Sequence, residues 1–355
     1  MIQTDALIIG AGPVGLFQVF QLGLLEIKCH VIDALPAPGG QCIELYPDKP
    51  IYDIPGTPRT TGRELTASLL QQIKPFNAPF HMGQVVSQID TQSDDSFQVI
   101  TSKGQQFSTK VIVIAAGVGA FQPKLLKIDG LDKFDNSQLF YHALPASTID
   151  QHILIIGGDD AALNCAVDLA TEGKAKSITL LHRRDIYQAA PELISKLHAL
   201  RGANALHLMV GQVTGFAKQA GKLNAVQITG VDGQSQAVPA SQLLVYLGLS
   251  PKLGPIADWG LAMDRKQVAV DTEKFATSVP GIFAVGDINS YPGKKKLILS
   301  GFHECALAAF GAAGIVYPGK NPQLEYTTSS TRLHRLLGVN GPDTGKNDID
   351  VTASL

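Results

Sequence analysis

One motif is written twice in this chain, and it leaves few folds open. An apolar strand runs into a glycine turn and then a helix, once near residue 10 and again near residue 157. The first copy passes from "DALIIG" (5–10) through "GAGPVG" into a helix over 13–24 and a strand over 28–33. The second passes from a strand over 153–156 through "GGDDAA" (157–162) into a helix over 160–172 and a strand over 177–182. Each is a β-α-β unit of about 30 residues, which demands parallel strands and a right-handed crossover. The expected fold class is α/β, with two Rossmann-like dinucleotide-binding domains.

In the first turn each glycine has a mechanical task. Gly10 makes the tight turn, Gly12 lets a pyrophosphate approach the backbone, and Gly15 lets helix and strand pack closely. Pro13 suits a first helical position, where its missing N–H costs nothing. The helix start then offers N–H groups and a positive dipole end to phosphates. Asp33, closing the next strand, can accept hydrogen bonds from ribose hydroxyls. A purely structural glycine turn is the competing reading, but the strand, helix and acid around it are what the nucleotide motif requires.

The second turn reads Gly157, Gly158, Asp159, Asp160, Ala161, Ala162. Asp159 stands where the motif wants its middle glycine. A carboxylate repels a pyrophosphate and its Cβ blocks the backbone. Either the nucleotide sits further away, or Asp159 points outward and a neighbouring N–H carries the contact. The following strand ends not in an acid but in His182, Arg183 and Arg184. Arginine there suits a 2′-phosphate, which NADPH carries and NADH lacks. Two dinucleotide sites imply one resident and one exchanging nucleotide. A flavin takes hydride from nicotinamide and can release electrons singly. The first site is therefore expected to hold FAD and the second NADP(H).

The rest of the chain narrows the class. Its 355 residues fit two domains. A net charge of −2 argues against a general nucleic-acid binder. No run of 18 apolar residues occurs, so no membrane span is expected. The first strand begins at once, which leaves no room for a signal peptide; a cytoplasmic protein is expected. Cys29, Cys42, Cys165 and Cys305 form no C-x-x-C pair and lack zinc spacing, so they read as buried free thiols. The Pro- and Gly-rich stretch 34–62 is long enough to be functional. A helix is expected over 63–74, strands over 84–90, 96–101 and 107–114, and a long helix over 297–316. The expected division is 1–119 with 280–335, then 120–279, then a frayed tail from 336 to 355. Hinges are expected near 117–122 and 275–281. Trp259 reads as packing, and His142 as a surface or interdomain residue.

"GAGPVGL", "PGGQ", "LYPDKPIYDIPG", "AAG", "HRRD", "FAVGD" and "LILSGF" come in an order that resembles thioredoxin-reductase-like flavoproteins, over about residues 3–335. Within that group the chain is most similar to the ferredoxin/flavodoxin–NADP⁺ reductases, through "GGQCIELYPDKPIYDIPG" and the later "EYTTSS". The thiol-reducing branches carry a cysteine pair before the second turn or after the first. Here 130–156 contains no cysteine and Cys42 has no partner, so thiol–disulfide exchange lacks its residues.

The resemblance implies roles residue by residue. Gly10, Gly12, Pro13, Gly15 and Asp33 would hold the ADP half of FAD. Gln41 and Asp287 would hold its ribityl–flavin end, Val86 would meet the adenosine through its backbone, and Phe121 would pack on the cofactor. Tyr46 would stack on one flavin face. Tyr326 would cover the other, with Thr327 hydrogen-bonding nearby. No acid–base pair is implied. NADP(H) would lie on Gly157, Gly158, Asp159, Asp160, Ala161, His182, Arg183 and Arg184. The pattern departs at Tyr326, where the family often has histidine, and at Gln188, where it commonly has a further arginine. Electrons would pass to ferredoxin or flavodoxin, both acidic as classes. Lys294, Lys295, Lys296, Arg332 and Arg335 could form a docking rim, or could be ordinary solvated charges. A homodimer is implied. The alternatives are an NAD(P)H-dependent quinone or small-molecule reductase or oxidase, and a redox-sensing flavoprotein with an impaired NADPH site.

Overall fold

The computed structural model describes residues 1–320 and 326–338; the side chains of Phe121, Gln122, Leu249 and Pro251, and residues 339–355 of the expected tail, lie outside that description. The chain divides into two compact units, Met1–Ala120 with Lys252 onward, and Phe121–Pro251.

The first unit is built on parallel strands ordered Phe80–Met82, Cys29–Asp33, Ile2–Ile9, Gln106–Ile114 and Ile282–Ala284. Both faces are covered, which is why the central strands read as continuous apolar runs rather than alternating ones. Ala6, Ile8, Val31, Val111 and Val113 face the helices Pro13–Leu24, Gly62–Ile73 and Ile298–Val316. Leu7, Ile9, Ile32, Ile112 and Ile114 face the other way, against Phe97, Val99 and Phe107. Those last residues belong to an antiparallel meander that shares the strand Gln106–Ile114. The helix Gly62–Ile73 starts with a capping box, in which Thr61 and Glu64 satisfy each other's backbone N–H.

The stretch 252–279 belongs to this unit, not to the second as the sequence reading had it. Ile256, Leu261 and Val268 are buried with Leu7 and Ile112, and Phe275 packs with the helices. The covalent crossings lie at 120–121 and 251–252, so the expected hinge near 275–281 falls inside a packed core. Trp259 packs against that core as expected. The helix Ile298–Val316 is long and apolar enough to cross a membrane by length and composition, contrary to expectation. Its alanine stripe, Ala308, Ala309, Ala312 and Ala313, is instead buried in the helix-side core, and Glu304 sits fully buried on the same helix.

The second unit has its own parallel sheet, ordered Leu139–Tyr141, Gln242–Tyr246, His152–Gly157, Ser177–His182 and His207–Val210. The helices Asp160–Glu172 and Pro191–Gly202 cover one face. An antiparallel meander over Gln212–Gln219, Lys222–Thr229 and Ser235–Pro239 covers the other. His142 is half-buried and packs edge-on to Tyr246, so it is a packing residue of this unit.

Candidate functional site

In the first unit the chain leaves strand Ile2–Ile9 through Gly10, whose φ is +115°. A Cβ there would stand 2.3 Å from the Ala115 carbonyl oxygen, and one at Gly15 would stand 1.9 Å from the Gly10 oxygen. Both positions are closed to any side chain. Gly12 is different: its nearest neighbour across the gap is the Gly40 Cα, 3.9 Å from an ideal Cβ. The helix beginning at Pro13 has no side-chain cap and no acid in its first turn. Its free N–H groups and positive end are uncommitted. A second bare segment faces them. Gly39 N–H donates to the Ala11 carbonyl (2.9 Å), and Gly40, at φ +55°, would strike Gly12 with any Cβ. Two side-chain-free backbone segments and an uncapped helix make a cradle that fits a pyrophosphate.

Asp33 stands beside that cradle. Its carboxylate accepts from Ala11 N–H (2.5 Å) and Leu35 N–H (2.8 Å). Burial pushes its pKa above the usual carboxylate range, against those two donors. Gln84 N–H donates to the Asp33 carbonyl, and Gly83 N–H to that of Leu35. The buried Val86 opens strand Val86–Thr91 just beyond. The predicted adenosine contacts therefore converge on one corner.

The predicted flavin-end residues also converge. Gln41 opens the short helix Gln41–Leu45, and Tyr46 ends it. The Tyr46 hydroxyl lies 3.5 Å from the Cys42 sulfur. Burial raises both pKa values, and the nearby Asp287 carboxylate raises them further. Asp287 follows Gly286, which packs with Gly301 against Val14 in the first turn of the cradle helix. The segment is fixed by Glu304, which the sequence reading missed. Its carboxylate is fully buried and accepts from Gly286 N–H (2.6 Å), Asn289 Nδ2 (2.8 Å), the Tyr291 hydroxyl (2.9 Å) and the Lys294 ammonium. Asp287 is itself pushed upward by burial, while Lys294 and Lys296 pull it down.

The second turn is built otherwise. A Cβ on Gly157 would meet Ala162 and the Tyr246 oxygen at 2.6 Å, and one on Gly158 would meet the His182 ring at 2.6 Å. Of the two arrangements the sequence allows, Asp159 does not take the outward one. It is the N-cap of helix Asp160–Glu172, and its Oδ1 accepts from Ala162 N–H at 3.0 Å. Asp160 accepts from Ala190 N–H (2.9 Å), and Gln188 N–H donates to the Gly158 carbonyl (2.7 Å). The loop after His182 is thereby tied to the turn. His182 donates its Nδ1–H to the Arg184 carbonyl at 2.8 Å. Ala161, Arg183 and Arg184 are exposed, and neither arginine has an ion-pair partner among the described residues.

Two rim expectations, Lys294 and Arg332, need correction, and the segment of Tyr326 has its own anchor. Tyr326 is 70% exposed and Thr327 is exposed. Their segment is anchored at the C-terminal end of the helix Pro13–Leu24, because Arg332 donates to the Gly23 and Leu24 carbonyls and pairs with Glu26. Twelve residues of helix, roughly 18 Å, separate that end from Gly12, and Arg332 is the residue fixed there. Arg332 is accordingly a helix-end cation rather than a free rim charge. Lys294 is buried with Glu304, 7% exposed at its side chain, and leaves the rim as well. Lys295, Lys296 and Arg335 are exposed. The side chain of Phe121 lies outside the described residues.

All four cysteines are buried and unpaired. Burial pushes the Cys29 thiol up to about 12 and that of Cys305 well above its usual range.

Residues 4–305 match the family described as pyridine nucleotide-disulphide oxidoreductase. The chain is 62% identical over 344 residues to a ferredoxin–NADP reductase of Polaromonas sp. strain JS666, covering 96% of this chain and 94% of that one. It is 61% identical to a ferredoxin–NADP reductase of Albidiferax ferrireducens, covering 96% and 97%. Among solved structures it resembles Lactococcus lactis thioredoxin reductase, with a TM-score of 0.55 and 25% identity over 88% of this chain and 99% of that one. The bacillithiol disulfide reductase of Staphylococcus aureus shares the fold, with a TM-score of 0.58 at 17% identity over 87% and 98%.

Proposed function

This chain belongs to the pyridine nucleotide-disulphide oxidoreductase family, and we propose that it works there as an FAD-dependent ferredoxin–NADP reductase. The observation that carries the reading is the pairing of two dinucleotide turns with four buried, unpartnered cysteines. The family's nucleotide-binding architecture is kept, and the cysteine pair a disulfide reductase needs is missing among these residues. Electrons must then leave by another route, and the curated relatives named ferredoxin–NADP reductase support a protein acceptor.

FAD, when bound, supplies acceptance of hydride from nicotinamide and donation of single electrons. The chain supplies binding and orientation. Gly10, Gly12, Gly15 and Pro13 hold the pyrophosphate on the uncapped helix, with Gly39 and Gly40 opposite. Asp33 accepts from the ribose hydroxyls, and Val86 lines the adenosine corner. Gln41, Tyr46 and Asp287 line the flavin end. Arg183 and Arg184, with His182 beneath them, receive the 2′-phosphate of NADP(H). Lys295, Lys296 and Arg335 remain as a cationic rim for an acidic carrier such as ferredoxin or flavodoxin. A homodimer is part of the proposal: the exposed Tyr326, Leu336 and Leu337 are apolar surface that a second copy would cover.

The test is NADPH-driven cytochrome c reduction by purified, FAD-loaded protein, with and without ferredoxin, and with NADH alongside. Strong stimulation by ferredoxin with NADPH preferred is the expected result. Equal rates without ferredoxin would place the protein among small-molecule reductases. No flavin reduction by either nucleotide would overturn the reading.

A further inference from the structure

The two turns of this chain allow a direct comparison at one motif position. At Gly12 the helix start is bare, whereas at Asp159 a carboxylate already sits on the helix N-terminus, 3.0 Å from the Ala162 N–H. We infer that Asp159 is a built-in competitor for the nucleotide pyrophosphate, so that the second site holds its ligand chiefly by the 2′-phosphate. The inference rests on the NADP(H) reading of that site.

The argument is electrostatic and steric. The N–H groups and positive end of helix Asp160–Glu172 are what a pyrophosphate would use. Asp159 satisfies one of those donors and places a negative charge there, and the exposed Asp160 adds a second acid in the first turn. Pyrophosphate and carboxylate cannot share the position. Binding therefore requires the Asp159 side chain to swing out and surrender its cap. The backbone around it stays put, because Leu163 N–H holds the Asp159 carbonyl and Gln188 N–H holds that of Gly158. Asp160 and Ala190 fix the far side of the loop. Arg183 and Arg184 project from this anchored loop and meet no carboxylate among the described residues. The penalty falls equally on NADP⁺ and NAD⁺, since both carry the pyrophosphate. Discrimination between them is left to the arginines.

The experiment is calorimetric titration of FAD-loaded wild type, Asp159→Gly and Asp159→Asn with NADP⁺, NAD⁺ and 2′-AMP. The last has the 2′-phosphate and no pyrophosphate. Asp159→Gly should tighten NADP⁺ and NAD⁺ by a common factor on the order of 10, with 2′-AMP unchanged. Asp159→Asn keeps a capping oxygen without the charge and should fall between. It carries the test if the glycine variant does not fold. Unchanged or weaker NADP⁺ binding in a folded variant overturns the inference, as does an equal gain for 2′-AMP. A wild type that binds NAD⁺ as well as NADP⁺ would overturn the 2′-phosphate reading, while a shared gain in Asp159→Gly would still establish the competitor.

Discussion

Lys294 and Glu304 form an ion pair in the interior, with side chains 7% and 0% exposed, and the carboxylate also gathers Gly286, Asn289 and Tyr291. Breaking one side of such a pair leaves an uncompensated buried charge, which costs about 3–5 kcal/mol. Glu304→Gln should lose stability on that scale, because an amide turns an N–H₂ toward groups that are themselves donors. Lys294→Met should do the same by stranding the carboxylate. The double variant Lys294→Met/Glu304→Leu should cost less than the two singles added together, since no charge is left behind. Denaturant titration of the loaded protein measures the cost. Fluorescence of released FAD should rise at lower denaturant in both singles, because Gly286 and Asp287 lose their anchor.

Gly12 and Gly15 look alike in the sequence and should fail in different ways. A Cβ at Gly15 would lie 1.9 Å from the Gly10 oxygen, within backbone that cannot yield. Gly15→Ala should therefore not give folded protein. A Cβ at Gly12 meets nothing nearer than 3.9 Å. Gly12→Ala should fold with nearly the wild-type circular dichroism and melting behaviour, yet purify with little flavin, because the methyl occupies the space a pyrophosphate needs. Flavin absorbance per protein, read beside the melting curve, checks both.

The elements that were legible in the sequence are those with strong local rules. Strand, glycine turn and helix around Gly10 and Gly157 follow from spacing and apolar runs, and Asp33 and the two arginines follow from their place at strand ends. The rest depends on contacts between distant segments. Glu304 lies in a helix apolar enough to read as core, and nothing local announces that Gly286, Asn289, Tyr291 and Lys294 will close on it. The lysine run 294–296 reads as one surface patch, but the fold turns its first member inward. Arg332 reads as a rim charge because the helix end it serves is some 308 residues earlier in the chain. The His30–His81 pair, 2.8 Å apart on neighbouring strands with Phe107 against both rings, was also missed. Its partners sit 51 positions apart, and no spacing rule connects them. Asp159 stands out in the sequence as a carboxylate at a glycine position, and the cap geometry turns it toward the helix start.

The thiols should be silent. Burial raises all four cysteine pKa values, so the reactive thiolate is scarce at pH 8. A chromogenic disulfide reagent should find almost no fast-reacting thiol in the native, loaded protein and four after denaturation. Prolonged exposure to iodoacetamide at pH 8 should leave NADPH-to-ferredoxin turnover unchanged. Loss of turnover in step with one modified cysteine would mean that a thiol takes part in electron transfer.

Asp33 should make FAD binding sensitive to acid. In the free protein burial raises its pKa above 3.8. On its own this group's contribution to folding is fully present below 3.8, where both states are protonated, and is lost as pH rises through the raised value. FAD reverses the preference, because ribose hydroxyls donate to the charged carboxylate and pull its pKa down. Binding should therefore be tight at neutral pH and weaken as pH drops through the raised Asp33 value. Asp33→Asn should bind about 10- to 100-fold more weakly at pH 7, the scale of hydrogen bonds to a charged group, and should lose that acid sensitivity. Fluorescence titration of the apoprotein with FAD across pH reads both.

The cationic rim, reduced to Lys295, Lys296 and Arg335, makes a prediction that separates steering from packing. Exposed charges act on an acidic carrier through the encounter step, and salt screens them over about 10 Å at 0.1 M. Lys295→Glu should raise the KM for ferredoxin several-fold at low salt, leave kcat nearly unchanged, and converge with wild type as salt increases. Lys296→Glu should do the same and more, because Lys296 also pulls down the Asp287 pKa and its reversal disturbs the flavin end. Arg332→Glu should behave differently. It breaks the bonds to Gly23 and Leu24 and sets a negative charge at a helix C-terminus, so the segment 326–338 should exchange amide hydrogens faster at every ionic strength. A ferredoxin KM that is indifferent to Lys295→Glu at low salt would remove the rim from the mechanism and send the search for the docking face elsewhere on the molecule.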